Sequence, residues 1–100
     1  MPNPSKNKGS RFEREIVELA RSKGLAAKRV PLSGAAEGYP GDVQIRASWG
    51  ADWCLEAKWR GDGFRELYKW IEGKDGLVVR ADHKEALLIV RLSAGLELFQ

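Results

Sequence analysis

Asp42–Lys58 reads DVQIRASWGADWCLEAK, and its pattern predicts a β-hairpin. Apolar and polar residues alternate over its second half, so Glu56 and Lys58 share one face of a strand. Gly50-Ala51 suits a two-residue turn with glycine at its first position. Folding the hairpin brings Asp42, at the start of the first strand, towards Glu56 and Lys58 at the end of the second.

Two carboxylates and an amine at one end of a hairpin are typical of a Mg²⁺ site with a catalytic lysine. Mg²⁺ prefers oxygen ligands and keeps several waters, so a few acidic groups suffice. We predict that Asp42 and Glu56 are the core ligands and that the backbone carbonyl of Ala57 is a third. Lys58 would orient the attacking water and stabilise charge on a phosphate. Glu13 would complete the acidic cluster or bind the metal through water.

Glu13 belongs to a predicted helix that runs from about Arg11 to Lys23. Ser10 is positioned to cap this helix, and Gly24 to end it. At about 100° per residue, Glu13 falls within the apolar arc of the helix, where an acid needs a partner or a role. Two interpretations stay open: Glu13 folds back on Ser10 in a capping box, or it serves the site.

The composition fits one globular domain in a reducing compartment. The chain has 100 residues, 43% of them hydrophobic, with a single cysteine and a single histidine. These counts exclude a disulfide framework and a cysteine-rich zinc site, and they disfavour a Ser-His triad. No apolar run approaches a membrane span, and the first ten residues lack the core of a signal peptide. We expect a cytoplasmic protein with a flexible basic arm over residues 1–9 and one domain over residues 10–100.

The charge is unevenly placed. Residues 1–30 hold eight Lys/Arg against three Glu, which is +5, and residues 31–100 hold nine against eleven, which is −2. A basic first third predicts an anionic partner such as nucleic acid, with a solvated basic face as the alternative. Residues 31–41 form a long loop, and loops of this length are often functional. Arg29, Ser33 and Gly34 are candidate phosphate contacts, because guanidinium groups and glycine amides bind phosphate oxygens well.

Further elements follow from pattern and turn chemistry. We predict strands over residues 25–30, 77–80 and 86–92, a helix over residues 64–72, and a short final element over residues 94–100. The run at 86–92 is nearly all apolar, as in a strand buried on both faces. We interpret Cys54 as a buried structural residue. We interpret three tryptophans as core or dimer residues rather than base-stacking platforms; they are Trp49, Trp53 and Trp59.

The ordered set of motifs resembles the PD-(D/E)xK nuclease superfamily, and within it the archaeal-type Holliday junction resolvases, which also occur in phages. The resemblance covers residues 8–60 well and the remainder in element order. Four matches carry it: KGSRFERE at residues 8–15, Arg29 followed by Ser33-Gly34, Pro40-Gly41-Asp42, and Glu56-Ala57-Lys58. Gly41 departs from a strict Pro-Asp pair, and the C-terminal half is shorter than in typical resolvases.

The resemblance implies a restriction-endonuclease-like α/β fold, a mixed sheet flanked by helices. It implies a Mg²⁺-dependent endodeoxyribonuclease, with Mn²⁺ as a substitute, that acts as a homodimer on four-way DNA junctions. Glu13, Asp42, Glu56 and Lys58 take the positions of the catalytic residues. The expected DNA contacts are Lys6, Lys8, Arg11, Arg14, Arg29, Ser33 and Gly34.

Three alternatives remain at this point. The same nuclease core would also serve restriction, flap or repair cleavage. The fold would also serve as a catalytically silent DNA-binding module, although such a module has no need to keep all four site residues. The last alternative is a plain α/β domain whose acids and lysine form surface ion pairs, which are common and contribute little stability.

Overall fold

The computed structural model describes residues 4–30 and 42–100, with side chains described from Lys8 onward in the first range. The elements in chain order are α1 (Pro4–Ser22), β1 (Ala26–Arg29), β2 (Val43–Arg46), β3 (Asp52–Leu55), α2 (Arg65–Ile71), β4 (Gly76–Val79), β5 (Leu87–Val90) and α3 (Leu92–Glu97). The predicted α/β class is confirmed, because helices combine with antiparallel sheets, consistent with a restriction-endonuclease-like core. Contacts divide the chain into two units: Met1–Trp59 with Leu96–Gln100, and Arg60–Gly95.

The first unit is built on a three-stranded antiparallel sheet in the order β1-β2-β3. Val43 and Ile45 of β2 point to one face and are fully buried. Ala27 lies opposite Ile45, and Leu55 lies opposite Val43, so both ladders extend the same apolar face. Helix α1 covers this face with Ile16, Val17 and Ala20. Each large side chain buried there contributes roughly 1.5–3 kcal/mol, so this face holds the unit together.

Helix α1 begins at Pro4, not near Arg11 as predicted, so residues 4–9 of the predicted arm lie in the helix. Proline is tolerated at the first helical position, because its N–H has no intrahelical partner there. The misleading signal is Gly9-Ser10, since glycine in a helix costs about 1 kcal/mol relative to alanine. Ser10 lies inside α1, so the capping-box interpretation of Ser10 and Glu13 is wrong.

The hairpin of β2 and β3 is confirmed, but its connection is longer than predicted. Ala47 and Ala51 still pair, since the Ala47 N–H donates to Ala51 O at 2.8 Å. The loop therefore holds three residues, 48–50, and the Gly50 N–H closes a turn on Ala47 O. Gly50 has φ +94°, the left-handed conformation that ends three-residue hairpin loops and that glycine adopts without strain.

The second unit contains α2 and an antiparallel pair of strands, β4 and β5. The side chain of Arg91 donates to the carbonyls of Lys74 and Ile71, which ties the end of β5 to the turn after α2. The prediction that β5 is buried on both faces is wrong, since Leu87 and Leu88 are 63% and 65% exposed. Among the described strands β5 pairs with β4 alone, and a two-stranded sheet leaves much of its apolar surface in solvent.

The predicted final element is α3, and Leu96 near its end belongs to the core of the first unit. Leu96 is fully buried and clusters with the apolar residues of α1 and β2. Phe99 lies edge-on to Trp53, with ring centroids 5.0 Å apart, and its carbonyl accepts the Ser48 N–H. None of the described helices has the length and apolar character needed to span a membrane.

The interpretation of Cys54 is wrong, and so is the core half of the interpretation of the three tryptophans, whereas its dimer half stays a prediction. Cys54 is exposed, because it lies on the face of β3 opposite Leu55. The tryptophans are not core residues, since Trp49, Trp53 and Trp59 are 59%, 47% and 37% exposed. Each places part of an indole on apolar neighbours and leaves the rest in solvent, as this amphipathic side chain commonly does.

Candidate active site

Asp42 directly precedes β2, at the edge of the sheet where β1 and β3 end. Three of its atoms make hydrogen bonds. Its carbonyl accepts the Val30 N–H at 2.9 Å, and its own N–H donates to Leu55 O at 2.8 Å. Its carboxylate Oδ2 accepts the backbone N–H of Ala57 at 2.9 Å. The two backbone hydrogen bonds, with Val30 and with Leu55, follow from the pairing of β2 with both β1 and β3. Asp42 is thus fixed against the backbone of the Glu-x-Lys segment, as the hairpin predicts.

Glu56 and Lys58 flank Ala57 just beyond the end of β3. The alternation of the strand continues through them, because Ala57 packs against the core while both neighbours are exposed. Lys58 Nζ lies 3.8 Å from Glu56 Oε1, in an ion pair with both side chains about 60% exposed. The predicted sharing of one face is therefore confirmed. An exposed pair of this kind contributes little stability, so both side chains can turn towards a ligand at small cost.

Glu13 points inward from α1 and pairs with Arg29 at the end of β1. The Glu13 residue is 7% exposed, and its Oε1 lies 3.2 Å from Arg29 Nε. A second nitrogen of the same guanidinium donates to Ser10 Oγ, also at 3.2 Å. Arg29 therefore gives the buried carboxylate the partner that its burial requires. Within the part of the chain that the structure describes, Glu13 makes no hydrogen bond or ion pair with Asp42, Glu56 or Lys58.

The predicted DNA contacts on α1 have two kinds of surroundings. Arg14 is exposed, whereas Lys8 and Arg11 both lie against the ring of Trp59. Lys6 lies in the helix, but its side chain is not among those described. Ser33, Gly34 and the Pro40-Gly41 pair of the motif lie outside the described residues.

Trp59 is the residue near the site that its pattern did not mark as functional. It directly follows Lys58, and its ring meets that of Phe12 edge-on at 6.0 Å. The sequence feature that could have indicated a role for Trp59 is its position: an aromatic residue directly after a Glu-x-Lys motif, in a chain with a basic first helix.

The loop end of the hairpin carries the clearest electrostatic shift. The guanidinium of Arg46 hydrogen-bonds both carboxylate oxygens of Asp52, at 2.9 and 3.1 Å. This pair lowers the pKa of Asp52 below its ordinary value and raises that of Arg46. The pair joins β2 to β3 at the end of the hairpin away from Asp42.

The donor set fits Mg²⁺ better than a softer metal. Asp42 and Glu56 offer carboxylate oxygens and Ala57 a carbonyl, the hard ligands that Mg²⁺ prefers. Asp42 Oδ2 is engaged by Ala57, and Oδ1 has no hydrogen-bond partner among the described residues. No three Asp, Glu, His or Cys side chains of residues 4–30 and 42–100 form a ready-made metal cluster. Two carboxylates with water still suffice for Mg²⁺, which is commonly bound in this way.

The comparisons with known proteins agree with this geometry at the level of the family. No solved structure matched the chain. A family model matches residues 4–89, a range that runs from the start of α1 through most of β5 and includes Glu13, Asp42, Glu56 and Lys58. The model is that of the family described as "Phage putative PDDEXK endonuclease", and the chain belongs to this family.

Proposed function

We propose that this chain is a Mg²⁺-dependent, structure-selective endodeoxyribonuclease that resolves four-way DNA junctions by paired symmetric nicks. The observation that carries the proposal is the hydrogen bond from the Ala57 N–H to Asp42 Oδ2. It ties the motif aspartate to the middle residue of Glu56-Ala57-Lys58, which is the pairing that a PD-(D/E)xK site needs. The family match supports the nuclease part of the proposal.

Asp42, Glu56 and the Ala57 carbonyl would hold the metal ion. When bound, Mg²⁺ supplies a nucleophilic water and neutralises charge on the phosphate and on the leaving oxygen. The chain's own contribution is to keep Asp42 immobile through its three hydrogen bonds. A fixed ligand needs no reorganisation when charge develops, and this lowers the barrier.

Lys58 would supply positive charge beside the scissile phosphate. Its partner in this structure is Glu56, at 3.8 Å. The ammonium group has three donors, so it can contact Glu56 and a phosphate oxygen or a water together. We assign it an electrostatic role, in which it orients the attacking water and stabilises charge on the phosphate.

Glu13 and Arg29 would act at the same site as a pair. Glu13 takes the place of the helix glutamate in the resembled family and is proposed as a water-mediated ligand or as part of the acidic cluster. Arg29 keeps 38% of its side chain exposed while it is held by Glu13 and Ser10. Its remaining donors are free to take a phosphate oxygen, since guanidinium binds phosphate well with two nitrogens.

The DNA would lie on the basic residues of α1 and β1. Lys6, Lys8, Arg11, Arg14 and Arg29 are all in these two elements, and Ser33 and Gly34 follow in the chain. Contacts of this kind read the backbone and the shape of the duplex rather than its sequence. A homodimer is proposed because one such site cuts one strand, whereas a junction needs two nicks. We expect the reaction to take place in the cytoplasm.

The test uses end-labelled DNA in three forms: a four-way junction, a plain duplex and a flap. Each is incubated with the chain in Mg²⁺, in Mn²⁺ or in EDTA, and Asp42→Asn is the matched inactive variant. Paired nicks in the junction alone, lost in EDTA and in the variant, would support resolution. Metal-dependent cutting of duplex or flap would support the nuclease activity, but it would indicate a function in restriction or repair instead of junction resolution. Binding of the junction without any cutting would contradict the nuclease and leave a DNA-binding module.

A further inference from the structure

Trp59 rests on one stripe of the N-terminal half of α1. Lys8 Nζ lies 4.7 Å from the centre of the Trp59 ring, and Arg11 Cζ lies 4.8 Å from it. The Phe12 ring packs against the same indole with an interplanar angle of 67°. Positions 8, 11 and 12 share a helix face, because residues three and four apart are neighbours on a helix. The stripe includes Lys8 because α1 begins at Pro4 and not at Arg11.

The same tryptophan limits the freedom of the Glu-x-Lys segment. Strand β3 ends at Leu55, so regular strand pairing does not hold residues 56–58. Two contacts hold the segment. At its middle residue the Ala57 N–H donates to Asp42, and directly after it Trp59 packs on α1. Glu56 and Lys58 are themselves exposed and pair with each other. The backbone that carries both side chains is thus anchored on the sheet side and on the helix side.

The indole is also shared by two cations, Lys8 and Arg11. Lys8 and Arg11 would repel each other in isolation, and the negative face of an indole offsets part of this repulsion. Glu15 gives Arg11 a further partner at 3.9 Å, with both side chains mostly exposed. Both are long, flexible side chains on one helix face, so both can turn towards one anion beside the ring. A phosphate of the DNA backbone fits this requirement in charge and in hydrogen bonding.

We propose that Trp59 is a positioning residue that couples the Glu-x-Lys segment to the basic face of α1. It holds residues 56–58 in place through its contacts with Phe12, Lys8 and Arg11, and it presents the two cations together to one DNA phosphate. The second half of this inference rests on the proposed function. The first half concerns the free protein and needs neither DNA nor metal.

The first experiment measures amide hydrogen exchange at Ala57 in the free, full-length chain. Trp59→Leu removes the ring, Trp59→Phe keeps an aromatic contact, and Trp53→Leu is the matched control at a half-exposed tryptophan that contacts Phe99. We expect Ala57 to exchange about 3- to 30-fold faster in Trp59→Leu, less so in Trp59→Phe, and unchanged in Trp53→Leu. The amides of Lys28 and Ile45, which lie in the paired strands, should keep their protection in all three variants.

A reciprocal variant covers the case in which Trp59→Leu unfolds. Replacing Lys8 and Arg11 together by glutamine removes the cations and keeps good helix formers on α1. We expect the Ala57 amide to exchange faster in this variant as well. Unchanged exchange at Ala57 in the folded variants would overturn the inference, whether or not the wild-type chain cuts DNA.

The second experiment measures junction binding in EDTA over a range of salt concentrations. Each lost phosphate contact lowers the slope of log K against log salt by about 0.9. We expect the slope to fall by about 0.9, the value for one phosphate, in Trp59→Leu and to stay unchanged in Trp53→Leu. An unchanged slope in Trp59→Leu would refute the presentation of Lys8 and Arg11 to DNA. Failure of the wild-type chain to cut any DNA would instead refute the proposed function and leave the exchange result standing.

Discussion

Arg29 at the end of β1 is joined to Glu13 on α1, with Nε 3.2 Å from Oε1, and the pair links two residues 16 positions apart. Glu13 is almost fully buried, and Arg29 keeps more than a third of its side chain in solvent. A buried carboxylate thus holds a guanidinium whose other end is free. This arrangement makes Glu13 and Arg29 one structural unit. Under the proposed function, we expect substitutions of both residues to affect the cleavage or the binding of DNA.

Glu13→Gln should reduce DNA cleavage strongly while changing the free energy of unfolding by only about 1 kcal/mol, because the Arg29 end of the pair is solvated. Glutamine keeps the shape and one acceptor but loses the charge. Misplacing Arg29 and losing a possible water-mediated ligand should lower the single-turnover rate by about 10- to 100-fold. Glu18→Gln, on the exposed face of the same helix, is the control. Equal rates in the two variants would remove Glu13 from the site.

Arg29→Ala should weaken junction binding and flatten its dependence on salt. One lost phosphate contact lowers the slope of log K against log salt by about 0.9. Fluorescence anisotropy in EDTA, at four or more salt concentrations, measures the slope. Arg46→Ala removes a guanidinium from the neighbouring strand and should leave the slope as it is in the wild type. If Arg29→Ala keeps the wild-type slope, Arg29 does not contact a phosphate.

Asp42→Asn, Glu56→Gln and Lys58→Ala should each abolish cleavage and leave junction binding largely intact. The reason is that, under the proposed function, these groups serve the metal and the developing charge, whereas affinity comes from the basic residues of α1 and β1. Asn at position 42 can still accept the Ala57 N–H, so the fold should be kept. Matched controls are Asp52→Asn, on the same hairpin, and Lys69→Ala, on α2. Cleavage that persists in any of the three site variants would remove that residue from the catalytic set.

Leu96→Ala should lower the free energy of unfolding by about 2–5 kcal/mol, because it leaves a cavity in the core of the first unit. Leu98→Ala is a well-matched control, since Leu98 is 65% exposed two residues later. We expect that control to lie within about 0.5 kcal/mol of the wild type. Urea unfolding followed by tryptophan fluorescence measures both. Similar midpoints for the two variants would show that Leu96 does not fill the core.

The Arg46–Asp52 pair should make a pH-dependent contribution to stability. The folded-state pKa of Asp52 is lowered by its hydrogen bonds to Arg46. A lowered pKa stabilises the fold above the ordinary value of 3.8, and this stabilisation is lost as the pH falls through the folded-state value. Wild type and Asp52→Asn should therefore differ at neutral pH and converge in acid. Urea titrations between neutral pH and strong acid test this, and a constant difference across that range would speak against the pair.

Local patterns predicted the arrangement of Asp42, Glu56 and Lys58 well, because a two-residue period sets it. The alternation around Ala57 requires Glu56 and Lys58 to share a face, and strand pairing requires Asp42 to lie at the end of β3. The turn was harder to predict, since Gly50 suits the first position of a two-residue loop as well as the last of a three-residue one. The bounds of α1 were missed because Gly9-Ser10 has the composition of a helix start.

Contacts between distant elements could not be predicted from local pattern. Trp59 meets Lys8 as well as Arg11 because α1 extends to Pro4 and packs across β1 and β2. Leu96 was assigned to a short final element, but no local signal shows which core it joins. The partner of Glu13 was equally hidden, because Arg29 had its own interpretation as a phosphate contact. In each case tertiary packing determines the contact partner, which sequence spacing alone does not specify.

The position of Leu96 has a consequence for synthesis of the chain. The other core residues of the first unit have all been translated by residue 59, whereas Leu96 follows 37 residues later (96 − 59 = 37). At about 5–20 residues per second, a ribosome needs roughly 2–7 s for this stretch. Small domains commonly fold faster than that. The core of the first unit therefore stays incomplete during this time, and it can be filled only after Leu96 has been translated.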